Sequence, residues 1–413
     1  MKSSLLKAIG FLLVLLIVGT AVAQERVTLR LAAIVNDQEP VTAVVAEYMR
    51  RNPHITITTT FAPIDQYQVV LRTQLAAGTA PDILFVWAGA AGNPMSVGLL
   101  AENNLLADLS NEPWVRDIPA GVRSSVQHGG RTFIYPVNKL VIGLFYNRQI
   151  LQNHGLGVPR TWNDLLAACE RLSRAGITPL AQANQVLWVT QLIPHAITAS
   201  TVYATDPDFD IRLAQGRATF AGSAGYRDAL QRYLELNRRG CFNRFPNATS
   251  YEDIVRMMAT GRAAMAVQTP GFAAQATRQG MAAEHLGMVP FPVHNDGTRP
   301  WIFASVLSSF GVSAASRNQA AARDFIRFLA QPEILSIYLG GRIPAVPHPA
   351  LTVSPLFSEM LAAIREGRSA PVGVFWPNPR VQDVYMRGIQ QLFDGSKTID
   401  QLLAELDRIA RER

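Results

Sequence analysis

Apolar residues alternate with polar ones where the regular part of the chain begins. Val27, Leu29, Leu31, Ala33 and Val35 fall on one side of an extended segment, which predicts a strand. Val41, Val44, Val45, Tyr48 and Met49 then recur at helical spacing, and Asn52-Pro53 predicts the end of that helix. His54 to Thr58 resumes a β-branched strand. A second helical stripe, Tyr67, Val70, Leu71 and Leu75, stops at Gly78, a residue suited to the left-handed turn after a helix. Pro81 to Trp87 reads as a buried strand. The order βαβαβ implies a parallel sheet covered by helices.

The same alternation of elements continues downstream. Arg131 to Pro136, Leu140 to Tyr146, Ala263 to Val267, Leu286 to Pro290 and Ser305 to Val312 read as strands. Helices are expected from Trp162 (with Thr161 as cap and Asp164 as its reciprocal partner), over Tyr226 to Leu236, and over Ile254 to Met258. A further stripe of Ala322, Phe325, Ile326 and Leu329 ends before Pro332. Two last helices carry Tyr385, Ile389 and Leu392, then Leu402, Leu403, Leu406 and Ile409, the second opened by a Thr398–Gln401 capping box. No internal repeat or low-complexity linker interrupts the pattern, which excludes a disordered protein.

The first 23 residues depart from it. Lys2 and Lys7 frame a basic start, Leu12 to Val18 are apolar, and Ala21-Val22-Ala23 has the small-x-small form of a cleavage site. The apolar run is short of the ~20 residues that span a bilayer, so residues 1–23 are expected to be a cleaved export signal. No Cys occurs before Cys169, which leaves no acceptor for a lipid anchor. Taking Lys2 and Lys7 from the 38 basic residues leaves 36 against 31 acidic ones, a net charge of +5. That charge is mild and scattered, which argues against a nucleic-acid groove. The remaining length favours two lobes. Cys169 and Cys241 in an exported chain invite a disulfide, with two buried thiols as the alternative. The seven His are dispersed, and none sits at metal-ligand spacing from either Cys.

Several stretches resemble the extracellular solute-binding proteins of ABC importers, in the maltose-binding and glycerol-phosphate-binding group. They are Leu75-Ala76-Ala77-Gly78-Thr79-Ala80-Pro81-Asp82-Ile83, Gly130 to Pro136 followed by Leu144-Phe145-Tyr146-Asn147, and Pro159-Arg160-Thr161-Trp162-Asn163-Asp164-Leu165. Gly261-Arg262-Ala263-Ala264-Met265 and Gly311-Val312-Ser313 leading to Ala321 to Ile326 complete the family's order. The resemblance implies an α/β, periplasmic-binding-protein-like fold: two α/β lobes joined by a hinge, with ligand trapped between them. It puts lobe 1 at residues 24–140 plus 290–340 and lobe 2 at 141–289 plus 341–413. Crossings are then expected near 139–143, 288–292 and 341–344.

A sugar presents apolar ring faces and hydroxyl rims, so its site needs aromatic platforms and planar polar groups. Following the resemblance, Asn36, Asp37, Gln38 and Glu39 after the first strand are candidate contacts, with a solvated turn as the bland reading. Trp87 ends the third strand and lies within one position of the family's cleft aromatic. Asn138 and Lys139 fall at the first crossing, and Lys139 stands where some relatives place an acidic contact, which leaves room for an acidic or phosphorylated ligand. Trp188, Phe272, Trp301, Arg342 and Trp376 complete the candidates, Phe272 being the aromatic nearest a position where many relatives have Trp. Core packing is the alternative for each aromatic.

The resemblance implies a carbohydrate ligand (sugar, oligosaccharide, sugar phosphate or polyol), delivery to ABC permease subunits in the inner membrane, a free periplasmic monomer and no cofactor. An enzyme is the first rival, but there is no nucleophile elbow, His-Glu-x-x-His, phosphate loop or dinucleotide fingerprint. An exported glycosidase, a binder of an anion, polyamine or metal on the same fold, and a ligand sensor remain as alternatives.

Overall fold

The computed structural model describes residues 26–90 and 93–412. The expected signal, residues 1–23, lies outside them, and none of the described helices is long and apolar enough to cross a membrane.

Two separate hydrophobic cores organise the chain. The first gathers side chains from Leu29 to Val137 and from Val306 to Val346, with Ile343 excepted. The second runs from Val141 to Ala304 and resumes from Phe357 to Ile409, taking in Ile343. Each core packs on its own sheet. The first sheet has the strand order Ile55–Ala62, Val27–Ile34, Ile83–Phe85, Ser309–Val312, Ile134–Pro136. Its first three strands are parallel, and Ser309–Val312 runs antiparallel to both neighbours. The sheet is therefore mixed, not wholly parallel. Helix Gln38–Arg51 covers it with Val41, Val44, Val45 and Tyr48. Helix Ile64–Ala76 adds Tyr67, Leu71 and Leu75 and is followed by Gly78 at φ +67°, where a side chain is disfavoured.

The second sheet has the order Leu286–Val289, Gly143–Asn147, Ala263–Gln268, Thr178–Leu180. Helix Trp162–Arg174 opens with the reciprocal Thr161–Asp164 cap. A disulfide ties its Cys169 to Cys241, just beyond helix Ala224–Arg238, with Cα atoms 5.0 Å apart.

A third, three-stranded sheet joins the lobes: Ser369–Ala370, Ile302–Val306 and Lys139–Val141. It explains two departures from the sequence pattern. The apolar runs 140–146 and 305–312 are not single strands, because each changes sheet midway. Lys139–Val141 belongs to the joining sheet and Gly143–Asn147 to the second lobe, with the Ile142 N–H donating to the Phe303 carbonyl between them. Likewise Ile302–Val306 lies in the joining sheet and Ser309–Val312 in the first. The middle crossing therefore falls near 304–308, not 288–292. Residues 290–304, expected in lobe 1, pack into the second core through Phe291, Val293, Ile302, Phe303 and Ala304. The cause is local: the Trp162 N–H donates to the His294 carbonyl at 3.2 Å, and Arg232 donates to the Val293 carbonyl at 2.8 Å.

Two buried titratable groups sit in the second core. Asp210 accepts from the Tyr203 hydroxyl at 2.5 Å and from the Phe375 N–H at 3.3 Å, so it anchors the 371–376 loop. Burial pushes its carboxyl up to about 7. His195 stacks against Phe303 and Tyr385, and burial pulls its imidazole down to about 3. Trp376, expected at the ligand, is 1 % exposed and packs edge-on against Phe220 and Tyr385. It is a core residue.

Two outcomes follow from these contacts. Replacing Cys169 and Cys241 together by Ser should lower stability by about 2–5 kcal/mol, read as a lower urea midpoint; an unchanged midpoint would show that the bridge adds nothing. The pH dependence is the second. A raised folded pKa at Asp210 means stability is lost as pH rises from the ordinary carboxyl value, 3.8, through about 7. A lowered one at His195 means stability is lost as pH falls from 6.5 toward about 3. The two slopes oppose each other over most of that range. Asp210→Asn should therefore uncover a melting temperature that rises with pH between 3.8 and 6.5 more steeply than in the unaltered chain, and equal slopes would refute the assignment.

Candidate functional site

Ligands of α/β sheets sit beyond the carboxyl ends of the strands. In the first lobe that end carries Asn36, Asp37, Gln38 and Glu39 after Val27–Ile34, and Trp87 after Ile83–Phe85. Asn36, Gln38 and Glu39 are exposed, whereas Asp37 is buried. Trp87 is half-buried, its ring edge-on to Phe85 at 4.7 Å and tilted to Tyr67 at 5.9 Å. Tyr67 is itself fixed by donating its hydroxyl to the Phe85 carbonyl at 2.7 Å. One side of the indole is thus supported by the core while part of the ring stays open.

Among the described residues, the second lobe meets this rim at Glu39 and at Gly89. Arg278, at the end of helix Gly271–Arg278, reaches Glu39 at 3.2 Å. Val374, on the loop held by Asp210, approaches Gly89 so closely that a Cβ there would lie 2.5 Å from the Val374 carbonyl oxygen. Only glycine fits that approach. Near Arg278 stands a half-buried aromatic pair, Trp188 and Tyr251, with ring centroids 5.3 Å apart. Burial raises the Tyr251 hydroxyl pKa, and the Arg278 charge lowers it. Tyr251 and Arg278 were not legible as site residues: one reads as a helix start and the other as a surface charge, 239 residues from Glu39.

Other expected contacts have different neighbours. Phe272 is fully buried, tilted against Phe145 at 5.3 Å and edge-on to Tyr251 at 6.3 Å. It supports Tyr251 and presents no stacking face. Trp301 is half-buried against the second core, and Ser200 holds its main chain by accepting from the N–H and donating to the carbonyl. Lys139 pairs with Val306, and side-chain alternation places it on the strand face of Val141, opposite Asn138. Burial lowers its pKa.

Asp37, Asn138 and Arg342 engage one another's neighbourhood at the crossings. Asp37 accepts from the Ser308 hydroxyl at 2.7 Å, and an Arg342 Nη lies 3.7 Å from its other oxygen. Burial pushes the Asp37 carboxyl up, against the pull of Ser308 and Arg342. Asn138 Oδ1 accepts from the Ser308 N–H at 3.1 Å. Arg342 donates to the Leu339 and Tyr338 carbonyls, closing the end of helix Pro332–Leu339. Gln268, buried at the end of Ala263–Gln268, finds no partner for either amide atom among the described residues, and sequence gave no signal for it. The described residues contain no group of three or more His, Cys, Asp or Glu able to hold a metal.

Half-buried aromatics and planar polar groups thus stand on both lobes where their rims meet. The protein is similar to the melibiose/raffinose/stachyose-binding protein MelE of Bacillus subtilis, 22% identical over 65% of this chain and 62% of that one. That match spans less than two thirds of the relative's length. It is also similar to the multiple sugar-binding protein of Streptococcus mutans, 21% identical over 71% and 69% of the two chains. Among solved structures, a chitin oligosaccharide binding protein superposes with a TM-score of 0.79 (22% identity; 93% of this chain, 98% of that one). The RafE binding protein in complex with raffinose superposes at 0.76 (18% identity; 92% and 98%). These likenesses establish the shared two-lobe fold. The sequence model for bacterial extracellular solute-binding proteins matches residues 32–334, and the chain belongs to that family.

Proposed function

We propose that the chain captures a carbohydrate, an oligosaccharide in particular, between its lobes and delivers it to the permease subunits of an ABC importer in the inner membrane. The observation that carries this reading is the pairing of half-buried aromatics with planar polar groups on both lobes. Trp87 stands with Asn36, Gln38 and Glu39 on one side, and Trp188 and Tyr251 with Arg278 on the other. Aromatic faces pack on the apolar faces of sugar rings, while carboxylate, amide and guanidinium groups match their hydroxyls. The names of the relatives, which bind melibiose, raffinose and stachyose or multiple sugars, support the same class. The buried, unpaired amide of Gln268 is a further candidate contact, since leaving such a group without a partner costs about 1–3 kcal/mol. Free movement in the periplasm, as a monomer released by cleavage after Ala23, belongs to this reading.

The chemistry asked of the site is binding and release. Ligand docks on one rim, the lobes close over it, and the closed form is the one the permeases select. Isothermal titration with raffinose, stachyose and melibiose tests this. At least one should bind with 1:1 stoichiometry, and Trp87→Ala should weaken it about tenfold to a hundredfold, the worth of one lost aromatic contact. Heat release from none of the three, or an unaltered affinity in Trp87→Ala, would count against the proposal.

A further inference from the structure

The carboxyl group of Asp37 joins elements that are distant in sequence. It is 2 % exposed and begins no ligand-facing surface of its own, although its neighbours Asn36 and Gln38 are both exposed. One oxygen accepts from Ser308, at the end of the middle crossing, and the other faces Arg342, just after helix Pro332–Leu339 and beside Ile343, which dips into the second core. Ser308 in turn donates its N–H to Asn138, on the first crossing. Main-chain bonds complete the cluster: the Leu307 N–H donates to the Asn138 carbonyl at 2.9 Å, and the Lys139 N–H donates to the Ile343 carbonyl at 2.8 Å. The loop that carries the exposed rim residues is thereby fastened to the first and middle crossings and to the 342–343 segment that lies against them.

We propose that Asp37 is a positioning residue that couples the Asn36–Glu39 rim to the hinge, so that occupation of the rim is transmitted to lobe rotation through Ser308 and Arg342. This rests on the binding function proposed above. A ligand shifts an open–closed equilibrium only through contacts that differ between the two states, and a rim loop free to move would absorb those contacts without turning the lobes. The buried hydrogen bond at 2.7 Å removes that freedom. Asp37 needs no contact with the ligand in this role.

The variants Asp37→Ala, Asp37→Asn and Ser308→Ala separate coupling from simple stability. Ser309→Ala serves as the control, because Ser309 is equally buried but donates to the Val86 carbonyl, wholly within the first lobe. Spin labels at Val69→Cys and Ile211→Cys, both exposed and on different lobes, report the interlobe distance by double electron–electron resonance. The native cysteines are bridged and take no label. Asp37→Ala and Ser308→Ala should broaden the ligand-free distance distribution and raise the Kd for raffinose about tenfold. Asp37→Asn, which keeps an acceptor for Ser308, should fall between them and the unaltered chain. Ser309→Ala should lower the melting temperature yet leave the distribution unchanged. A wild-type distribution in Ser308→Ala, or equal broadening in Ser309→Ala, overturns the proposal. If Asp37→Ala does not fold, Ser308→Ala decides alone, since it removes one hydroxyl. If none of raffinose, stachyose and melibiose binds the unaltered chain, the carbohydrate reading falls, while the ligand-free distributions still decide the coupling.

Discussion

A chain that passes repeatedly between two separate apolar cores must satisfy its peptide groups where neither core's sheet can reach them. Here the crossings satisfy one another. Lys139–Val141 runs antiparallel to Ile302–Val306, Asn138 bridges to Pro344, and the Val137 N–H donates to the Ser308 carbonyl while the Ala345 N–H donates to Val137. Each buried peptide group left without a partner would cost about 1–3 kcal/mol, so the strands stay side by side while the lobes they join have no shared core. The division of the molecule into two cores joined by one hydrogen-bonded sheet follows from that requirement.

The rims inherit their geometry from the same arrangement. Trp87 is held by Phe85 and Tyr67, and Tyr251 by Phe272 and Trp188. Each side is thus supported from within its own lobe, and the contacts described between the rims are weak. The Glu39–Arg278 pair is exposed, and pairs of that kind are worth about 0–1 kcal/mol. The Gly89–Val374 approach is a steric stop with little attraction of its own. If the lobes close on a ligand as proposed, contacts this weak leave the ligand to supply much of the free energy of closure.

Local signals in the sequence were readable where the chemistry is local. The caps at Thr161 and Thr398, the glycine after Ile64–Ala76 and the stop at Asn52 all follow from side chains within a few residues. The two sheet changes were hidden because residues 140–146 and 305–312 are buried along nearly their whole length, and continuous burial erases the alternation that marks a strand's end. The same limit applies to the aromatics. Trp87 and Trp376 each follow a short apolar stretch, yet one has an open face and the other lies within the second core. Only the packing of distant segments, Tyr385 and Phe220 around Trp376, decides between them. Asp37 was legible as a polar residue after a strand, but its partners Ser308 and Arg342 lie about 300 positions away.

The central claim is that ligand is held by both lobes at once, across a joint that keeps its own hydrogen bonds. Hydrogen–deuterium exchange with and without saturating raffinose tests it most directly. The account predicts slowed exchange in peptides covering residues 36–39 and 87–90 of the first lobe, and in those covering 187–190 and 271–278 of the second. Exchange of the crossing amides at 137–141 and 304–308 should be unchanged. Protection confined to one lobe, or centred on the crossings, would contradict it.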